Sequence, residues 1–372
     1  MSAWEEWLAA QAAERDAAGL RRGLSPRAAT DRVLDLAGND YLGLSRHPEV
    51  TAAAADAALQ WGAGAGASRL VTGSLALHHR LEDELATYLG QPAALVLSTG
   101  YAANLAAVTA LADRDTLVVS DAHIHASLVD AVRLSRARLE IVPHSDVAAV
   151  RSALAGHDGR ALVLAESIYS VLGDAAPLPE LAEACAEHDA LLLVDEAHAI
   201  GVRGPGLVAA HGLATAPHVV VTATLSKALG AQGGAVLGSD AIRDHLVNRA
   251  RPFIYDTGLA PAAAAGALAA LDVLRGHPEL PDVVRRRGDD LAAALGAEPA
   301  AGAVLSVPMP SPQVAVAAQA AALEQGVRVG CFRPPSVPDG ISRLRVTVGA
   351  GITDDDWERA TDVLVAVVKE HG

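Results

Sequence analysis

From about residue 93 the chain repeats one pattern: a short apolar run, a polar cluster, then a stretch with helical spacing. The runs are AALVL (93–97), TLVVS (116–120), LEIVP (139–143), ALVLA (161–165), ALLLV (190–194), HVVVTA (218–223) and GAVLG (234–238). Unbroken apolar runs of this length suit strands covered on both faces, and their alternation with helices marks βα units. The pattern predicts an α/β fold built on a mostly parallel, seven-stranded sheet. Residues 4 to 22 have the spacing of an amphipathic helix ending near Gly23 and Pro26. After about residue 255 the pattern changes to alanine-rich helices, a strand-like SRLRVTV (342–348) and a closing helix from Asp354. The expected division is an N-terminal helix and arm (1–47), a large domain (48–255) and a smaller α+β C-terminal domain (256–372).

In such sheets ligands bind beyond the carboxyl ends of the strands, so the polar residues after each run carry the chemistry. They include Ser98-Thr99-Gly100-Tyr101, then Asp121, His123 and His125, then Glu166, Ser167 and Ser170. Asp195, Glu196 and His198 follow the fifth run; Thr224, Ser226 and Lys227 follow the sixth. Hydroxyls, helix-start amides, a carboxylate, imidazoles and an amine together suit a phosphorylated heteroaromatic cofactor. STGYAAN places a glycine turn at a helix start, where free amides attract phosphate, although ordinary strand–helix junctions read the same way. Asp195 in LLLVDEAHAIG follows a wholly apolar strand and needs a positive partner. A pyridinium nitrogen would supply one; a helix N-cap with an incidental histidine is the other reading. His123 and His125 in DAHIHAS lack further ligands at metal spacing, so no metal is expected. A flat imidazole stacked on a cofactor ring is the use favoured for His125, with His123 structural.

Composition narrows the partners. The net charge of −15 argues against a general nucleic-acid or anionic-membrane binder. No apolar run approaches a membrane span, the N-terminus lacks a signal-peptide pattern, and Cys185 and Cys331 form no framework, so a cytoplasmic protein is expected. Only two of the 29 basic residues are lysines, Lys227 and Lys369. A chain that otherwise uses arginine keeps Lys227 where an amine able to lose its proton is useful, which guanidinium cannot do. GAGAGA (62–67) follows a helical segment rather than a strand and fails as a dinucleotide fingerprint. LHHRLEDEL (77–85) has the period of a solvated helix, with His78 a candidate for burial.

Asp-x-x-His after one strand and Thr-x-Ser-Lys after the next resemble pyridoxal-phosphate enzymes of aspartate-aminotransferase fold type I. AGNDYLGLSRHP (37–48), GASRLVTGSLALHHRLE (66–82), VDEAHAIGVRG, TLSKALGAQGG, RPFIYDTGLAP (251–261) and SRLRVTV resemble the α-oxoamine synthase family in one register. That family joins an amino acid to an acyl thioester and expels CO2. AAGLRRGL and VGCFRPPSVP (329–338) are most similar to its members that use L-alanine and pimeloyl-CoA or pimeloyl-carrier protein. The resemblance implies pyridoxal 5'-phosphate anchored on Lys227, Asp195 on the ring nitrogen, His198 on the ring oxygen and His125 on the ring face. It places Gly100, Tyr101, Ser170, Thr224 and Ser226 around the phosphate, with Thr257 reaching it from the partner of a homodimer. Asn39, Arg345, Glu166 and Arg21 are implied as substrate contacts, Arg345 as a two-pronged carboxylate clamp. Sister α-oxoamine synthases share these residues, and an aminotransferase shares the lysine and Asp195. The chain departs from the family pattern at Gly38, His123, Leu172 and Asp256.

Overall fold

The computed structural model describes residues 1–17, 21, 23–334, 336–337 and 339–372, in two units, Met1–Val33 and Leu34–Gly372. In the first, a helix is described over Ala3–Ala17. Its start is a capping box: Ser2 N–H donates to the Glu5 carboxylate at 2.6 Å and Glu5 N–H to Ser2 Oγ at 3.3 Å. Residues 18–20 and 22 of the expected 4–22 helix, and with them part of AAGLRRGL, lie outside the described residues. So do Pro335 and Pro338 of VGCFRPPSVP.

The second unit holds β1 (Leu34–Leu36), β2 (Ala93–Leu97), β3 (Leu117–Asp121), β4 (Arg138–Val142), β5 (Ala161–Glu166) and β6 (Leu191–Asp195). It continues with β7 (Val219–Thr224), β8 (Gly234–Gly238), β9 (Val304–Pro308), β10 (Val327–Phe332) and β11 (Arg343–Thr347). Seven strands form one sheet in the order β2-β8-β7-β6-β5-β3-β4, parallel except that β8 runs against both neighbours. This is the α/β architecture the apolar runs predict. Successive side chains on each strand feed opposite cores, as the two-residue strand period requires. Leu162 and Leu164 of β5, Leu193 of β6 and Val220 of β7 enter one apolar cluster. Val163, Ala165, Val194 and Val221 enter the other.

Two details differ from expectation. β4 is an edge strand, so Leu139 and Ile141 are 44% and 64% exposed instead of covered on both faces. A second, four-stranded sheet has the order β1-β10-β11-β9, of which the apolar pattern marks only β11. β1 has three residues, β9 ends on proline and β10 carries Arg328 and Gly330, so none reads as an apolar run. This sheet draws β1 from the expected arm and β9–β11 from the expected C-terminal domain.

Parallel pairing aligns the polar strand ends. Glu166 lies opposite Asp195, and Asp195 opposite Thr222. At the same edge, β8 passes so close to the β2–helix turn that a Cβ on Gly234 would sit 2.4 Å from the Thr99 carbonyl. A Cβ on Gly100 would sit 2.9 Å from Thr224 Cβ. Gly234 is needed for backbone to approach backbone, and Gly100 for backbone to approach the Thr224 side chain.

Candidate active site

Beyond these strand ends lies a cavity of about 220 Å³. Its walls include Gly100, Tyr101, His125, Glu166, Asp195, His198, Thr224, Ser226 and Lys227, so nine of the expected site residues meet in one place. They come from five strand ends, those of β2, β3, β5, β6 and β7, or from the turns after them, which is why residues far apart in sequence converge.

Asp195 ends β6 and is 6% exposed. Its Oδ1 accepts from Ala197 N–H at 2.9 Å and its Oδ2 from Asn104 Nδ2 at 2.8 Å. Neutral donors hold both oxygens, so the carboxylate is oriented without being neutralised by an ion pair. Asn104 sits on the Gly100–Leu111 helix, and its amide nitrogen also donates to Ser127 Oγ at 2.8 Å. Ser127 N–H and Oγ both meet His125 Nδ1, at 3.2 and 2.7 Å. Nδ1 is then the acceptor, and the His125 proton resides on Nε2. Partial burial holds the His125 pKa below its ordinary value; Asp195 opposes this and Lys227 adds to it.

Lys227 follows β7 in a turn closed by Gly230 N–H on its carbonyl at 2.9 Å. Burial lowers its amine to a pKa of about 8, against the pull of Asp195 and Glu166 and with the help of Arg345. Its Nζ is 2.8 Å from His198 Nε2, and His198 Nδ1 is 2.7 Å from the Tyr41 hydroxyl. Burial, then the charges of Lys227, Arg345 and His125, push His198 well below the ordinary imidazole range, so it is neutral. Tyr41 donates to Asn39 Oδ1 at 3.0 Å, and Arg345 brings Nη1 and Nη2 to the same oxygen at 3.4 and 3.3 Å. Arg345 Nε donates to the Ser170 carbonyl at 2.7 Å. With the single Tyr41 proton on Asn39, His198 donates through Nδ1 and keeps an Nε2 lone pair for the lysine ammonium. A directed chain of bonds thus runs from the amine to Asn39 Oδ1, which Arg345 meets from the other side.

Glu166 is 2% exposed; burial, then Asp195, pushes its pKa well above the ordinary carboxylate value. Thr224 Oγ1 and Ser226 Oγ both lie on the Gly233 carbonyl, at 3.3 and 3.4 Å, while Ser226 N–H donates to Thr224 Oγ1 at 3.2 Å. Tyr101 is 46% exposed and donates to Asp130 at 2.6 Å.

Ser170, Asn39 and Arg345 do not line the cavity; they join it through the bonds just described. Thr257 lies elsewhere in this chain. Its backbone bridges to Ser68, and its N–H donates to Asp256, which also accepts from Ser98 Oγ at 2.5 Å. Arg21 belongs to the N-terminal unit, 3.6 Å from Asp16. His78 is buried and bonded to the Leu259 carbonyl at 2.7 Å. Asn104, Ser127 and Tyr41 are site residues that sequence reasoning passes over. Asn104 carried a signal: it is a polar side chain inside the otherwise apolar stretch AANLAAV.

Residues 31–364 match the profile of the family described as aminotransferase class I and II. The chain is 56% identical over 370 residues to an 8-amino-7-oxononanoate synthase of Mycolicibacterium paratuberculosis, covering 98% of this chain and 97% of that one. Among solved structures, a serine palmitoyltransferase from S. paucimobilis with bound PLP-myriocin aldimine superposes with a TM-score of 0.90 at 27% identity. That match covers 98% of this chain and 97% of the other. An 8-amino-7-oxononanoate synthase from Francisella tularensis gives 0.77 at 25% identity, covering 91% and 98%.

Proposed function

We propose a function from the premise that this chain belongs to the aminotransferase class I and II family. It is a pyridoxal-phosphate-dependent enzyme that condenses L-alanine with a pimeloyl thioester to 8-amino-7-oxononanoate, CO2 and free thiol, a step of biotin synthesis. The product follows the name of its relatives at 54–56% identity, and the substrates follow the sequence resemblance. The chemistry rests on one observation: a lysine amine with a pKa of about 8, bonded to a neutral histidine in a cavity shared with an oriented carboxylate.

The cavity fits the cofactor. Glu166 Oε1, Asn104 Oδ1 and Thr222 Oγ1, on residues that line it, are buried without a partner. The Gly100–Leu111 helix begins its ladder at Ala103 N–H, so the amides of Gly100 and Tyr101 precede it at the positive helix end. When bound, pyridoxal phosphate supplies a carbonyl for amine capture and a ring that withdraws electrons from a developing carbanion. Lys227 anchors it, Asp195 meets the ring nitrogen, His198 the ring oxygen and His125 the ring face. Gly100, Tyr101, Ser170, Thr224 and Ser226 surround the phosphate, joined by Thr257 of a second copy in a homodimer.

Arg345 and Asn39 take the alanine carboxylate. The Arg345 Nη atoms stand 3.3 and 3.4 Å from Asn39, long for bonds from a guanidinium, so both donors are open to a better acceptor. Lys227 Nζ, once released, removes the Cα proton and later returns one; a pKa near 8 keeps both forms populated near neutral pH. Asp195, fixed by Asn104, holds negative charge where the ring nitrogen must stay protonated. Glu166 and Arg21 are assigned to substrate contacts. The expected division at residues 47 and 255, and a cytoplasmic location, belong to the same reading; no helix among the described residues is long and apolar enough to cross a membrane.

The test is product formation from L-alanine with pimeloyl-CoA and with pimeloyl-carrier protein in competition. Acetyl-, succinyl- and palmitoyl-CoA with glycine or serine run alongside. Faster turnover of any of the latter pairs would reassign the enzyme within its family.

A further inference from the structure

Glu166 ends β5 directly opposite Asp195 at the end of β6. Neighbouring parallel strands lie about 4.8 Å apart, so side chains in register project to the same side. Here both are carboxylates, 2% and 6% exposed, and both line the cavity. Two adjacent buried carboxylates do not both ionise at neutral pH. Their donors decide which keeps the charge. Asp195 has a donor on each oxygen, Ala197 N–H and Asn104 Nδ2. Glu166 Oε2 accepts from Ser170 N–H at 3.1 Å, whereas Oε1 is buried with no partner. An ionised oxygen left bare inside protein is the costlier arrangement. The other groups facing Glu166 are Lys227 and the backbone N–H of His125, which favour ionisation, and burial together with Asp195 outweighs them.

We propose that Glu166 is a neutral acid whose Oε1–H donates a hydrogen bond to an anionic or carbonyl oxygen of the bound ligands. The proton sits on Oε1 because Oε2 already accepts. Nothing among the described residues takes it, so a bound group supplies the acceptor. Two sources share that chemistry: the ring oxygen of the cofactor and the thioester carbonyl oxygen, which becomes anionic when attacked. The second source rests on the reaction proposed above; the protonation state does not.

Glu166→Gln keeps a neutral donor on one atom and an acceptor for Ser170 on the other; Glu166→Ala keeps neither. The first measurement uses the protein without cofactor or substrate. The infrared difference between wild type and Glu166→Gln at pH 7.5 should show loss of a protonated-carboxyl C=O band. Loss of carboxylate bands alone overturns the proposal. In the cofactor-loaded enzyme, the alanine variant should lose on the order of 100-fold in kcat/KM, as for a missing oxyanion donor. The glutamine variant should exceed it by at least about tenfold; equal losses mean that a charge is required and overturn the proposal. Weaker pyridoxal-phosphate affinity in Glu166→Ala without substrate assigns the oxygen to the cofactor. Unchanged affinity with a loss confined to kcat assigns it to the thioester, and no change in either quantity overturns the donor role. If wild type makes no product from alanine and pimeloyl thioester while the infrared band is present, the reaction assignment fails and the neutral Glu166 stands.

Discussion

Two clusters at the carboxyl ends of the same sheet use the same residue types to opposite effect. After β3 and β4, His144 lies between two carboxylates: Nδ1 is 3.0 Å from Asp121 and Nε2 is 2.8 Å from Asp174. Tyr169 and Ser145 N–H add bonds to Asp121 at 2.8 and 2.7 Å, and His123 stacks on the His144 ring at 3.9 Å. Burial alone would lower the His144 pKa, but the two carboxylates raise it to about 9. After β6 and β7, His198 faces a hydroxyl and an amine instead, and it stays neutral. Opposite charges on both ring nitrogens lock a proton in place. Partners without negative charge, with like charges nearby, leave the amine of Lys227 close to its point of exchange. The first cluster has the electrostatics of a strut, the second those that the proposed proton transfer needs.

The largest effect should come from removing the exchangeable amine. Lys227→Ala should abolish the absorbance of the lysine-bound cofactor and reduce turnover by at least about 10³-fold. Retained turnover would mean that another base serves, and the contrast between the clusters would collapse. Asp195→Asn tests the charge without changing the shape. Cα hydrogen exchange of alanine should slow by on the order of 10²–10³-fold while the fold is kept. A near-normal rate, read by deuterium wash-out, would show that the ring nitrogen is held elsewhere. Tyr41→Phe removes the partner of His198 Nδ1. A buried unpaired N–H costs about 1–3 kcal/mol, so on the order of a tenfold loss in kcat is expected. The apparent pKa of the alanine reaction should move with it; an unchanged pH profile would reduce Tyr41 to packing.

The cavity-lining residues were legible because each follows an apolar run, and strand ends are where α/β sheets place chemistry. All seven runs became strands, displaced by at most one residue. Their lateral order was not legible: nothing local to LEIVP says that it lies at an edge, and so two large apolar side chains face solvent there. The same gap hid Asn104, Ser127 and Tyr41. Each acts through a partner 91, 23 or 157 residues away, and only the order of the strands brings those pairs within reach. His144 was missed for the same reason, since its two carboxylates come from β3 and the loop after β5.

The smallest effect should be on stability, and its sign separates the clusters. His144 binds its proton more tightly folded than unfolded, so it contributes stability that is complete below pH 6.5 and lost as the pH rises through about 9. With Asp174 side-chain exposure at 43%, solvent screening leaves on the order of 1–2 kcal/mol. Lys227 has the reverse linkage. Its folded pKa of about 8 lies below the ordinary 10.5, so the unfolded chain binds more protons between them and stability rises with pH there. Urea unfolding of the cofactor-free protein at pH 6.5, 8 and 9.5 should separate the two slopes. His144→Asn should be less stable than wild type at pH 6.5 and should close most of that gap by pH 9.5. Lys227→Met should be nearest wild type at pH 9.5 and relatively more stable at pH 6.5, where the buried ammonium is most costly. If His144→Asn instead keeps a constant deficit across the range, the imidazole acts there by shape and neutral hydrogen bonds, and the two clusters differ less in electrostatics than in packing.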